Sequence, residues 1–346
     1  MSDDYALPRG LRADPLPWLL EPDAANPGVR YFALTDLLGR PADDPEVMAA
    51  GKAVMATGPV PVILDAQYPE GYWVKPGAGY GPKYRGTTWS VIFLAMLGAD
   101  GADPRVRQAG SYLLDHSRSA YGGFTVAQNL SPAMMVHCLE GNLCAALLDL
   151  GWLGDPRLDQ ALDWLARSIT GQDIAPAEDS KAPVHYYRGG NSGPGFLCSA
   201  NNQRPCAWGA VKALRALGKM PTAARTPAMQ AAIAAGVDFL LGCDPAVADY
   251  PTWDGGRPSS SWFKFGYPLG YVTDVLQTLK ALAALGHARD LCLARALELV
   301  LSKQDAQGRW RMGYTYNGKM WADVETPGKP SKWVTLRALR VLMAAT

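Results

Sequence analysis

One seven-residue pattern, Gln-x-x-x-Gly-x-Trp, occurs twice in this chain, carried by Gln67, Gly71 and Trp73 and again by Gln304, Gly308 and Trp310. A pattern that returns near both ends of a chain constrains it to a repeat architecture, in which each unit buries a face that it cannot bury alone. Each copy follows a helical stretch and precedes a long loop, and a weaker echo stands at Gly122-Gly123-Phe124. A second signal interleaves with the first. Leu38-Gly39, Leu97-Gly98, Leu150-Gly151, Leu217-Gly218 and Leu285-Gly286 are followed by Asp44-Pro45, Asp103-Pro104, Asp155-Pro156, Thr226-Pro227 and Asp290. Such a glycine ends one helix, and such a cap, with proline in the first turn, starts the next. Successive Leu-Gly pairs lie 59, 53, 67 and 68 residues apart, which leaves room for two helices and a loop in each repeat.

The apolar residues keep helical spacing between these signals. Tyr31, Leu34, Leu37 and Leu38 line one face, and Val106, Ala109, Tyr112 and Leu113 line another. First helices of the pairs are expected to start near Val29, Lys83, Ser131, Gln203, Trp262 and Ser331, and no run of alternating residues argues for a sheet. Turns inside a pair are short and connections between pairs are long, so all long loops share one rim if the pairs close on themselves. The expected fold is therefore an all-α (α/α)6 toroid, with an open helical solenoid as the alternative. Residues 29–346 form its single domain in this reading. Residues 1–28 are an N-terminal extension packed on the ring, with residues 16–21 beside the C-terminal helix.

Composition narrows the partners. At 346 residues and 48% hydrophobic the chain buries a large core. A net charge of +1, with no long basic run, gives no electrostatic footing for nucleic acid. No stretch reaches the ~18 apolar residues of a membrane span, and the acidic, proline-rich start does not look like a signal peptide, so a cytoplasmic protein is expected. Six dispersed cysteines do not form a secreted disulfide framework and are expected to be reduced.

The Gln-x-x-x-Gly-x-Trp motif after a helix pair resembles the QW repeat of the squalene–hopene and oxidosqualene cyclases. From Val29 onward the layout resembles the toroid of terpenoid cyclases and protein prenyltransferase β-subunits. Arg85-Gly-Thr-Thr-Trp89, Cys206-Ala-Trp-Gly209, Trp262-Phe-Lys-Phe-Gly266-Tyr-Pro268 and Pro330-Ser-Lys-Trp333 are similar to segments of bacterial prenyltransferase/squalene-oxidase-repeat proteins. The resemblance implies structural roles for Gln67, Trp73, Gln304 and Trp310, and a small-to-medium apolar or isoprenoid-like ligand in a central cavity. The chain departs from those enzymes in its acids. It has neither the D-x-D-D nor the D-D-x-x-D motif, and Asp43-Asp44 sits at a helix cap. Ordinary protonation-initiated or magnesium-assisted cyclisation has no residues here to carry it.

The early residues of the first helices are polar and aromatic where a closed core would take aliphatic ones. Arg85, Trp89, Trp208, Trp262, Lys264, Tyr271 and Trp333 are the expected substrate-binding residues, forming an aromatic wall with a few polar groups. Cys138, Cys198 and Cys206, or two of them with His137, form a candidate zinc site with one coordination position free. Small core thiols are the plainer alternative. His137 and Glu140 share a helical face and are a candidate acid/base pair, with Asp254 and Tyr267 as further candidate catalytic acids. Lys83, Arg85, Arg204, Lys264 and Lys332 fall near expected helix N-termini, where an anionic group on the ligand is favoured. The leading expectation is an enzyme that uses acid/base or zinc-assisted chemistry. The alternatives are a zinc- or Cys/His-dependent hydrolase or lyase of non-terpenoid substrates, and a non-catalytic binder of apolar ligands.

Overall fold

The computed structural model describes residues 7–174 and 191–346. The middle of the expected long loop over residues 170–202 falls outside them, as does the very start of the N-terminal extension. Among the described residues the chain is a succession of helices, starting with α1 (Leu16–Leu20), α2 (Pro27–Phe32, continued by a π-turn over Ala33–Leu37), α3 (Pro45–Ala56) and α4 (Pro59–Asp65). Then come α5 (Thr87–Leu97), α6 (Pro104–His116), α7 (His137–Asp149), α8 (Pro156–Thr170) and α9 (Ala207–Lys219). The last four are α10 (Pro227–Leu241), α11 (Val275–Ala283), α12 (Ala294–Ser302) and α13 (Lys332–Ala344). The fold is all-α. None of these helices is by itself long and apolar enough to cross a membrane.

Burial sorts the helices into two sets. Every residue of α5 is buried, and α7 is buried almost throughout, as befits helices with neighbours on all sides. In α6 the buried residues form a stripe of Val106, Ala109, Gly110, Leu113 and Leu114. The inner helices touch in sequence order: α5 packs on α7, α7 on α9, α9 on α11, α11 on α13, and α13 on α2. Gly28 of α2 sits where a Cβ would lie 2.3 Å from the Leu97 carbonyl oxygen and 2.8 Å from the Trp333 ring, so α2 wedges between α5 and α13. The order of inner contacts therefore returns to its start. On the outside, α6 packs on α5, α8 on α7, α10 on α9, α12 on α11 and α1 on α13.

The two Gln-x-x-x-Gly-x-Trp copies make matching bonds. Trp73 is fully buried, its indole N–H donates to the Ile63 carbonyl at 2.7 Å, and its backbone N–H donates to Thr87 Oγ1 at 3.1 Å. Trp310 is also fully buried and donates to the Val300 carbonyl at 2.7 Å and to Thr335 Oγ1 at 3.0 Å. Each tryptophan thus pins the end of an outer helix to the start of the next inner one. The glutamines reach sideways. Gln67 Nε2 donates to the Arg105 carbonyl at 3.0 Å, in the first turn of α6. Gln304 Nε2 donates to the Ala13 carbonyl at 3.0 Å, and its Oε1 accepts the Arg12 N–H at 2.7 Å. Gly71 and Gly308 both have positive φ, and a Cβ on either would meet the backbone carbonyl of Gln108 or of Ala13 within 3 Å. The segment before α1 therefore stands to the second copy as the start of α6 stands to the first.

Several inner helices start later than the sequence spacing predicts, at Thr87, His137, Ala207 and Val275 rather than near Lys83, Ser131, Gln203 and Trp262. The largest difference has a clear cause. Residues 262–274 contain Gly266, Pro268 and Gly270, which interrupt a helix, and Asp274 then caps α11 by accepting the Gln277 N–H at 2.9 Å. A further helix, α4, occupies the start of the expected loop after Thr57, with Pro59 in its first turn. Short strands also occur, Ser192–Gly193, Leu197–Cys198 and Arg204–Pro205 in one antiparallel set and Trp310–Arg311 with Pro330–Ser331 in another. At two residues each they are too short to leave an alternating pattern.

Candidate functional site

A cavity of about 430 Å³ opens at the N-terminal ends of α7 and α9, closed on its far side by residues 250–262. Its wall includes Cys138, Cys198, Cys206, Trp208, Trp262 and Tyr271. Local structure explains the convergence. Cys138 lies in the first turn of α7, which packs on α9, and Cys206 is the residue before α9. Cys198 pairs across the short sheet with Arg204, and the Cys206 N–H donates to the Phe196 carbonyl at 2.9 Å, so the hairpin folds Cys198 back over Cys206.

The thiols meet as a chain. Cys206 interacts by hydrogen bonds with both Cys138 and Cys198. Its hydrogen bond with Cys138, together with burial, pushes the Cys206 thiol up to about 12, and Cys198 is raised further, first by its bond with Cys206. Both are neutral S–H groups at physiological pH. Zinc would need a set of donors around one point. Among the described residues no three His, Cys, Asp or Glu side chains form such a group.

Behind this wall lies a polar layer. Lys212 of α9 is fully buried, and its Nζ donates to Gln277 Oε1 and, at 3.4 Å, to the Val272 carbonyl. Burial, helped by the nearby Arg215, pushes its ammonium down to about 7, while Asp274 and Cys138 pull the other way. Asp274, fully buried, holds Arg337 bidentately at 2.7 and 2.9 Å, and Arg337 donates also to the Gly266 carbonyl at 2.6 Å. Asn142 Nδ2 donates to the Gly270 carbonyl at 3.2 Å. Lys212 escaped the sequence reading, although one signal was available: it is a lone lysine in the run Ala-Val-Lys-Ala-Leu on the apolar side of its helix.

The other expected site residues are distributed more widely. His137 and Glu140 are both buried but do not bond each other: His137 Nε2 pairs with Ser168 Oγ at 3.0 Å on α8. Burial pushes the imidazole down to about 4, so it is neutral at pH 7. Glu140 lies beside Gly123, where a Cβ would come within 2.5 Å of its Oε1, and burial raises its carboxyl well above the ordinary range. Neither lines the cavity. Asp254 is exposed on the rim loop, its carboxylate accepting from the Gly256 N–H at 2.9 Å and from Thr252 Oγ1 at 3.0 Å; these bonds, the backbone one first, lower its pKa. Trp89 is buried behind Tyr271, with ring centroids 5.3 Å apart, and Lys83 places its ammonium over Tyr84, Trp89 and Tyr271. Arg85 stacks on Trp321 at 5.5 Å, and Lys264 is exposed. Tyr267 and Trp333 stack on each other at 4.3 Å away from the cavity, the tyrosine hydroxyl donating to the Met96 carbonyl.

No protein-family model matches the chain, and no curated protein matches it. Solved structures similar to it include the apo form of the type II terpene cyclase MstE from Scytonema, 15% identical, with 83% of this chain and 95% of that one covered at a TM-score of 0.30. A variant of that enzyme in complex with geranylgeranyl dihydroxybenzoate is 16% identical, with 83% and 95% covered and a TM-score of 0.32. A protein from Actinoplanes is also 16% identical, with 83% and 97% covered and a TM-score of 0.31.

Proposed function

We propose that the helix pairs close as an (α/α)6 toroid and that its long-loop mouth binds a small-to-medium apolar, isoprenoid-like molecule on which the protein acts as an enzyme. The cyclic order of inner contacts supports the ring, as does the position of the N-terminal segment against Gln304. One observation carries the functional reading: three thiols and the aromatic rings of Trp208, Trp262 and Tyr271 converge on a single apolar cavity. Cys138 is the wall residue with an ionisable partner behind it. Lys212, whose buried amine titrates near neutrality, can take the thiol proton as the Cys138 sulfur adds to a polarised carbon–carbon double bond of a bound ligand, and return it to the carbon that receives the π electrons. The aromatic wall excludes water and orients the apolar part of the ligand.

The test separates an enzyme from a carrier. Native mass spectrometry of protein purified from cells without added metal is expected to show a co-purified apolar compound that Ala207→Trp, which fills the cavity, expels. On incubation with Cys138→Ala that compound should stay chemically unchanged, whereas wild type converts it. Recovery of the same unchanged compound from both proteins would make this a carrier. A wild-type protein that carries nothing and takes up no isoprenoid alcohol would contradict the site itself.

A further inference from the structure

A second cavity, of about 300 Å³, lies at the opposite ends of the same inner helices. It is bounded by the last turns of α5, α7, α9 and α11, by the π-turn after α2, and by α13. Its charges do not balance. Arg215, Lys219, Lys280 and Arg340 face two carboxylates, Asp36 and Asp149, while Arg337 is committed to Asp274. Arg340 pairs with Asp36 at 2.5 Å and stacks over Phe32 at 4.7 Å. Lys219 pairs with Asp149, which leaves Arg215 only a longer approach to the same carboxylate at 3.8 Å. Lys280 forms no ion pair among the described residues, and its charged neighbours include Arg340, Arg215 and Lys219, with Asp36 on the other side.

The helix dipole explains part of this pattern, because last turns favour cations by ~0.3–1 kcal/mol each. It does not explain the rest. Arg215 Nη1 and Arg340 Nε are buried donors without hydrogen-bond partners, and a buried donor left unmade costs about 1–3 kcal/mol. A dipole supplies no acceptor atom to receive them. Two positive charges stand unmatched, and two donors point at no protein acceptor.

We propose that this cavity is a binding site for a dianionic oxyanion, a phosphate or the phosphate monoester of a small molecule, held by Lys280, Arg215 and Arg340. The inference is independent of the thiol-lined cavity. An oxyanion there would accept from the Arg215 and Arg340 guanidinium groups, which a small side-chain rotation would satisfy, and answer Lys280, and the space left over admits a small organic group beside Phe32. Lys280 is itself exposed at the edge of the cavity, with Arg340, Arg215 and Lys219 among its charged neighbours, so removing its charge relieves like-charge repulsion in the free protein while weakening the complex.

These two effects have opposite signs, and together they make the test. Inorganic phosphate and phenyl phosphate, each added at constant ionic strength against a chloride control, are expected to raise the Tm of the full chain and to broaden its phosphorus NMR signals. Lys280→Met should raise the Tm without ligand and lower phosphate affinity about tenfold or more. Lys280→Gln serves the same purpose if the methionine variant folds poorly. Tighter binding of phenyl phosphate would mark a monoester site, and equal binding a site for free phosphate. No Tm rise beyond chloride, or undiminished phosphate affinity in either Lys280 variant, would overturn the proposal.

Discussion

The two ends of the inner helices are chemical opposites built from the same elements. The N-terminal ends of α7 and α9 gather thiols and aromatic rings. The C-terminal ends of α5, α7, α9 and α11 help to enclose a cavity rich in arginine and lysine. At the N-terminal end the nearby cations are spent elsewhere: Lys332 lies 3.7 Å from Glu21 and 3.6 Å from Asp23, Arg204 donates to the Thr252 carbonyl at 3.0 Å, and Arg85 and Lys264 are exposed. Between the ends lies the layer of Lys212, Gln277, Asp274 and Arg337. The difference teaches that one helix direction can sort two ligand chemistries, with the dipole favouring cations at one end and a hydrogen-bonded buried layer keeping the two apart.

The layer is the place to break the contrast. Asp274→Ala removes both the partner of buried Arg337 and the cap of α11, and is expected to cost about 3–5 kcal/mol in urea denaturation. A loss below ~1 kcal/mol would mean that the layer does not separate the ends. Lys212 sharpens the point through pH. Its folded form takes up a proton only below about 7 and its unfolded form already below 10.5, so the unfolded state holds more protons between those values. Stability should therefore climb with pH from about 7 to 10.5, by at most about 1.4 kcal/mol per pH unit, and Lys212→Met should flatten that climb. An unchanged slope in the variant would place the amine in water.

Two smaller effects test what lies outside both cavities. Glu140 keeps its proton in the fold above the pH at which the unfolded chain loses it, so its burial costs stability as pH rises past the ordinary carboxyl range. Glu140→Gln should stabilise the protein at pH 7 by about 1 kcal/mol and leave phosphate binding untouched. Destabilisation instead would point to a charged, partnered Glu140. Gln304→Ala should cost about 1 kcal/mol and free residues 7–20 to hydrogen exchange, whereas Gln67→Ala should cost less, because Gln304 makes two bonds to the N-terminal segment and Gln67 one to α6. Equal exchange in the two variants would remove the claim that this segment is held as an outer helix.

Much of the helix order was legible because the Leu-Gly stops and Asp-Pro starts are local signals with local causes. The inner helix starts were less so: Gly266, Pro268 and Gly270 disrupt residues 262–274, but periodicity alone carries a helix through them. The nearness of Cys138 and Cys206 followed from equivalent early positions in consecutive inner helices, and Cys198 joins them through the short hairpin before α9. The fate of His137 and Glu140 did not, because a three-residue spacing fixes a shared face and leaves open which neighbour that face meets; Ser168 of α8 supplies the answer for His137. The cations divide between the two ends for a related reason. Lys83, Lys264 and Arg204 fall near expected helix N-termini, whereas Arg215, Lys280 and Arg340 are late-helix cations whose convergence only the packing reveals.

An apolar ligand in the thiol-lined cavity is what joins the site to a function. Its most direct test is the rate at which N-ethylmaleimide modifies each cysteine, followed by peptide mass spectrometry with and without farnesol, with exposed Cys292 as an internal control. Farnesol is expected to slow modification of Cys138, Cys198 and Cys206 together and to leave Cys292 unchanged. Equal rates at all four with and without farnesol, or slowing that includes Cys292, would contradict it.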